Sequence, residues 1–128
     1  MPSRSAFTYA VLRIVPDIER EEFLNAGLIL FDRERRFLRA RTDLDAAVLA
    51  ALDGDCDLDA IRAQLALVEA IASGTTGVTP FAGMTQSERF HWLTTPRSTL
   101  IQPGPLDAGV TDDPEATFEH LYGVLVRR

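Results

Sequence analysis

The 128-residue chain contains no lysine, a single cysteine and no long apolar run. A lone cysteine, Cys56, cannot close an internal disulfide, so nothing calls for an oxidising compartment. The longest clearly apolar run, residues 26–31, is far shorter than the roughly 20 residues a membrane span requires. The opening Met1-Pro-Ser-Arg-Ser5 is not followed by the apolar core of a signal peptide. The expected location is therefore cytoplasmic, away from any membrane. Histidine is scarce as well, with only His91 and His120. With no His-x-x-x-His or Cys-x-x-Cys spacing, neither a zinc site nor any other metal or cofactor is expected.

The missing lysine leaves every basic group a guanidinium, whose planar fork suits paired contacts to carboxylate or phosphate. Net charge is −6, which disfavours a general nucleic-acid binder. The charge is uneven. Residues 1–42 carry eight arginines against six acids, whereas residues 43–73 carry one against seven. Hydrophobic residues at 46% and charged residues at 25% fit a globular protein and argue against disorder. The length suits one domain spanning residues 1–128.

Residues 6–15 are rich in aromatic and β-branched side chains and predict a strand that Pro16 ends. Residues 23–31 are apolar on both faces, as in a central strand covered at least partly on both sides. Residues 32–36 read as a polar turn and 37–42 as a third strand. Connections this short join antiparallel neighbours, so the three strands predict a meander. Thr42 with Asp45 resembles a capping box opening a helix that Gly54 ends. A second helix runs from near Asp57 to Gly74, with Leu58, Ile61, Leu65, Val68 and Ala72 along one face. Residues 74–86 read as a loop, 87–93 as a helical turn and 98–102 as a fourth strand. Asp113-Pro114-Glu115 starts a last helix, with a cap, a proline at its first position and an acid at its positive end. The expected fold class is α+β: a small antiparallel sheet, a three-strand meander plus a later strand, packed against helices.

Strand side chains alternate between faces. The even positions Ala10, Leu12, Ile14, Leu24, Ala26, Leu28, Leu30, Leu38 and Ala40 are all apolar, and predict one helix-covered face. Keeping them together pairs Arg13 with Asn25, Val11 with Gly27, Phe31 with Phe37, Ile29 with Arg39 and Gly27 with Arg41. The odd face then carries Arg13, Asn25, Arg39 and Arg41 around Gly27, a side-chain-free patch of the kind that admits a ligand. Three guanidiniums there could grip a carboxylate or phosphate. They could equally be polar residues of a solvated face. Arg13 could also pair with an acid such as Glu22.

Other motifs carry less. Asp53, Asp55, Asp57 and Asp59 alternate, but an EF-hand would need glycine at 58 and glutamate at 64, where Leu58 and Gln64 stand. These acids better suit capping of the second helix. A Ser98–His91–Glu88 triad can be drawn, without a nucleophile-elbow pattern to support it. Arg89 and Arg97 are better candidates, as anion contacts or as salt bridges tying their segment down. Phe90 and Trp92 read as core residues. Cys56 lies between two aspartates, which disfavour its thiolate.

The stretch Tyr9-Ala-Val-Leu-Arg-Ile-Val-Pro-Asp17, with Arg20-Glu-Glu-Phe-Leu-Asn-Ala-Gly-Leu-Ile-Leu-Phe31, resembles the opening of the bacterial domain-of-unknown-function family 3037. Ser87-Glu-Arg-Phe-His-Trp-Leu-Thr-Thr-Pro-Arg-Ser-Thr99, running on to Gln102-Pro-Gly-Pro105, resembles a later part of it. His91 departs from that pattern, which places a glycine there. The resemblance implies no set activity. It does imply a partner role beside a kinase-like protein of the HipA type encoded nearby.

The expectation is a non-enzymatic module that binds a partner protein or an anionic ligand. The alternative is a hydrolase- or nuclease-type enzyme with Glu19, Glu22, His91 and the arginines in one pocket. A nucleic-acid contact through the Arg33–Arg41 hairpin is opposed by the net charge.

Overall fold

The computed structural model describes residues 3–75, 77, 81–96 and 100–127. The chain runs β1 (Ser5–Ile14), β2 (Leu24–Asp32), β3 (Phe37–Thr42), α1 (Ala46–Leu52), α2 (Leu58–Ser73), α3 (Gln86–Thr94), β4 (Ile101–Pro103), β5 (Asp107–Thr111) and α4 (Pro114–Leu125). Short 3₁₀ turns lie at Ile18–Arg20 and Phe81–Gly83. The fold is α+β, with the expected β1–β2–β3 antiparallel meander.

The long β1 has β2 on one side along most of its length. On its other side β4 pairs with residues 12–14 and β5 with residues 5–9, both antiparallel. Pro103 lies opposite Leu12 and Asp107 opposite Tyr9, and the Gly104 amide donates to the Val11 carbonyl at 2.7 Å. β4 and β5 are therefore one edge strand interrupted by a one-residue bulge around 104–106. Of the expected fourth strand at 98–102, residues 98 and 99 lie outside the described residues, and β4 extends to Pro103.

The predicted register is corrected on both sides of β2. The β2–β3 turn is a tight four-residue loop in which Asp32 Oδ1 accepts from the Arg35 amide at 3.1 Å and Arg36 takes φ 52°. It pairs Asp32 with Phe37, and hence Phe31 with Leu38, Leu30 with Arg39, Leu28 with Arg41 and Gly27 with Thr42. Between β1 and β2 a bulge absorbs Ala26. Arg13 meets Asn25 as expected, but Leu12 meets Gly27 and Val11 meets Leu28. A one-residue slip exchanges faces. Leu28 and Leu30 therefore share a side with Arg39 and Arg41, whereas Ile29, Phe31, Leu38 and Ala40 face the other way.

Both sides are covered, which explains why β2 is apolar without alternation. Leu12, Ile14, Leu24, Ala26, Ile29 and Leu38 pack beneath α1, α2 and α3, against Leu49, Ile61, Leu65, Ile71, Phe90 and Leu93. On the opposite side, Phe7, Leu28 and Leu30 form a second core with Phe118, Tyr122 and Val126 of the α4 segment. Phe118, Leu121, Tyr122 and Leu125, apolar at helical spacing along one face of α4, contribute to it. Hydrophobic burial on two sheet faces, at about 25 cal/mol per Å² of apolar area, is the main stabilising term.

The caps follow elementary rules. Asp45, Asp57 and Asp113 each accept from an amide three residues on and start α1, α2 and α4. Pro114 stands in the first turn of α4 as expected. Thr42 does not cap α1. It ends β3, and its amide donates to Glu69 Oε1 at 2.8 Å. The capping box of this protein is instead Thr85 with Glu88, at the start of α3. Gly74 closes α2 at φ 75°, a left-handed conformation that glycine adopts without strain.

Ser5, at the start of β1, and Asp32, at the end of β2, are both buried, and the Ser5 hydroxyl donates to the Asp32 carboxylate. Arg35 Nε donates back to Ser5 Oγ at 2.9 Å, and its Nη2 to the Ser3 carbonyl. This relay fastens the hairpin turn to the first strand. No helix among the described residues is long and apolar enough to cross a membrane.

Candidate functional site

Arg13, Asn25, Arg39 and Arg41 do share one side of the sheet, but α4 lies across it. Arg41 makes a two-pronged contact to Glu119, Nη1 to Oε2 at 2.9 Å and Nη2 to Oε1 at 2.7 Å. Its guanidinium also lies 5.2 Å from the Phe118 ring centre and 5.0 Å from that of Tyr122. Arg39 reaches Glu115 at 3.7 Å and lies 4.9 Å from the Phe37 ring centre. The spacing has a simple origin. Two residues of strand advance about 6.6 Å and four residues of helix about 6 Å, so arginines two apart match glutamates four apart. Asn25 Nδ2 donates to the Leu125 carbonyl at the end of the same helix, at 3.1 Å. The predicted anion face thus carries an internal fastening for α4.

Gly27 belongs to the opposite side. A Cβ there would lie 3.0 Å from the Arg41 carbonyl and 3.2 Å from the Leu12 side chain. The glycine admits close packing of three strands rather than a ligand. Arg13 does not pair with Glu22, which bonds Arg20 instead. Its guanidinium stacks 4.2 Å from the Phe23 ring centre and abuts Gly104, with Nε buried and without a hydrogen-bond partner among the described residues. Arg89 Nη1 donates to the carbonyls of Ile71 and Ala72 at 2.7 and 2.9 Å, placing a cation at the negative end of α2. Arg97 and Ser98 lie outside the described residues.

Glu119 is the titratable group most clearly tied to this arrangement. The hydrogen bond from Arg41 holds its carboxyl below the usual carboxylate range, with weaker help from the charges of Arg41, Arg39 and Arg127. A carboxyl depressed by folding stabilises the fold above its ordinary pKa of 4.5, and that contribution is lost as the pH falls through the folded value. Glu119→Gln should therefore flatten the acid limb of the stability curve. Urea midpoints of the two proteins are expected to differ at neutral pH and to converge as the pH falls below 4.5 and through the folded value. A gap that stays constant with pH would show that the contact does not act through charge.

An open groove of about 480 Å³ runs over α3, lined by Met84, Ser87, Glu88, His91, Trp92 and Thr95. The Glu88 carboxylate is committed to the capping box and accepts from the Thr85 amide at 3.0 Å, which holds its pKa down. His91 stands exposed at the rim. Trp92 packs edge-on to Phe81 at 4.8 Å. Burial, then the hydrogen bond to Asp53 and the charges of Asp53 and Asp55, push the Cys56 thiol up. Asp57 caps α2, and Asp53 accepts from the Asp55 amide. Among the described residues no three His, Cys, Asp or Glu side chains are brought together as a metal site.

The profile of the family described as "Protein of unknown function (DUF3037)" matches residues 9–126. The chain belongs to this family. The DUF3037 match includes β2 through α4 entirely and begins within β1. No curated protein and no solved structure matches the chain.

The surface that sequence reasoning missed is the β5 edge of this DUF3037 chain. Leu106 and Val110 are 54% and 63% exposed, and among the described residues no strand pairs with the outer side of β5. The signal was present in Leu106, Ala108 and Val110, which alternate with Asp107, Gly109 and Thr111 between Pro105 and Asp112. Asp, Gly and Ala are poor strand formers, so propensity masked the period.

Proposed function

We propose that this chain is a small non-enzymatic module whose work is to bind a partner protein. The observation that carries this reading is the open β5 edge, with Leu106 and Val110 beside it. An edge strand presents unpaired amides and carbonyls, and proteins usually blunt such edges with charge, proline or a cover. Here β4 is blunted by Pro103 and the adjoining Pro105, whereas Asp107 is the one charged residue of β5. A partner strand laid along it would gain main-chain hydrogen bonds and an apolar contact at alternate positions.

The anionic-ligand form of the reading draws less support, because Arg39, Arg41, Asn25 and Arg89 already satisfy groups of the protein itself. A hydrolase-type pocket draws less still. Arg13 and Asn25 lie on the α4 side of the sheet, whereas His91 and Arg89 belong to α3 in the opposite layer.

The test is a pull-down with tagged protein from an extract of its native host, run beside Val110→Lys. Val110 is exposed, so the variant should melt with the wild type. The expected result is a co-purifying protein whose recovery falls at least tenfold with the lysine, and whose binding slows hydrogen exchange of amides 107–111. Equal recovery by the variant, or protection elsewhere on the surface, would overturn docking at this edge.

A further inference from the structure

We propose that β5 pairs with β5 of a second copy of this chain, antiparallel and centred on Gly109, so that two sheets join into one. This rests on reading the β5 edge as a docking surface, and it names the occupant.

The choice of occupant follows from the residues. β5 carries one acid, Asp107, and no base, and Asp112 and Asp113 follow it, so a second copy fits only in a register that sets no acid against an acid. With Gly109 opposite itself, Asp107 meets Thr111 of the other copy and no acid faces an acid. The same register sets Val110 across from Ala108, twice by symmetry. Both side chains stand on the side of the sheet that carries α1–α3, beside Ala6 and Thr8 of β1. Ala6, Ala108 and Val110 are exposed there, so α1–α3 stop short of this corner. Joining two copies would cover it from the neighbouring chain. On the other side, the Phe7 ring already lies over Gly109, where a Cβ would come within 2.7 Å of it. No side chain therefore projects from the centre of the proposed seam.

The other regions of the sheet margin fit this role less well. Pro103 and Pro105 lack amides, and the bulge at 104–106 breaks the line, which confines pairing to β5. At the opposite margin, the Thr42 amide at the end of β3 is held by Glu69 of α2.

Two five-residue strands bury less than the roughly 1,200 Å² of a standard interface, so the dimer should be weak, with Kd of about 10–1,000 µM. Each copy carries −6, so repulsion opposes assembly and salt should strengthen it. A basic partner would show the opposite salt dependence.

Two experiments on the full chain decide this. Sedimentation equilibrium from about 1 µM to about 1 mM should show a monomer–dimer equilibrium that tightens with salt and is weakened at least tenfold by Val110→Lys. Cross-linking reads the register. In a Cys56→Ser background, a mixture of Ala108→Cys and Val110→Cys chains should oxidise to a disulfide dimer faster than either chain alone, because opposed residues lie within bridging distance. A monomer throughout, a dimer indifferent to Val110→Lys, or faster linking of one variant to itself overturns the proposal. If the protein is monomeric and the pull-down still loses its partner with Val110→Lys, the edge binds a foreign strand, and only the choice of occupant fails.

Discussion

Truncating Phe118 to alanine is expected to cost about 3–5 kcal/mol, the range for large aromatic deletions in cores. In a domain of this size that lowers the melting temperature by roughly 10–20 °C. Phe118 is completely buried and is the largest such side chain among the described residues. It packs against the rings of Tyr122 and Phe37 at 6.1 and 6.4 Å, and the guanidiniums of Arg39 and Arg41 lie over it. Its removal opens a cavity between α4 and Leu28 and Leu30, the strand residues that the register sends to this side. The ion pairs to Glu115 and Glu119 are exposed and are worth little alone, so they cannot hold the helix once the apolar contact is lost. Hydrogen exchange across 114–126 should accelerate more than exchange in α2 or α3. Phe118→Leu, which keeps much of the volume, should lose far less. A melting temperature within about 2 °C of wild type for Phe118→Ala would mean that the second core contributes little and that the sheet is effectively one-sided.

Asp32→Ala should be the second most damaging substitution, at about 2–4 kcal/mol. The carboxylate is fully buried and serves both the Ser5 hydroxyl and the Arg35 amide. Alanine leaves those donors without their acceptor and removes the side chain that shapes the 33–36 turn. Because that turn sets the β2–β3 register, the damage should spread along β3 rather than stay local. Asp32→Asn retains an acceptor and the volume, and should cost about half as much. Chemical denaturation of both variants checks the ranking. Equal losses would show that the negative charge, rather than the hydrogen-bond geometry, is what the site requires.

Much of the fold was legible because the signals were local. Residues 6–15, the apolar run from Phe23 and the Asp113-Pro114 start each declare their element within a few residues. The unbroken apolar character of β2 also foretold cover on both sides. The sites were less legible. Arg39 and Arg41 alternate as a solvated face would, and only the position of Glu115 and Glu119, more than 70 residues away in sequence, turns them into a fastening. Arg89 read as an anion contact or a salt bridge because its actual acceptors are backbone carbonyls, which have no sequence signature. β5 escaped because its pairing with β1 is supplied by a partner about a hundred residues earlier.

The sequence by itself determined most of the composition of the layers: the helices, the strands other than β5, and the apolar surface that each of these must bury. Periodicity and end-capping are written in neighbouring residues, and their energetics hardly depend on what lies farther away. Tertiary structure alone decided the register. The loop of four rather than five residues at 33–36 and the bulge at Ala26 each shift pairing by one position, and in a strand one position is the difference between two faces. That slip places Leu28 and Leu30 beside the arginines, on the side of the sheet that α4 covers.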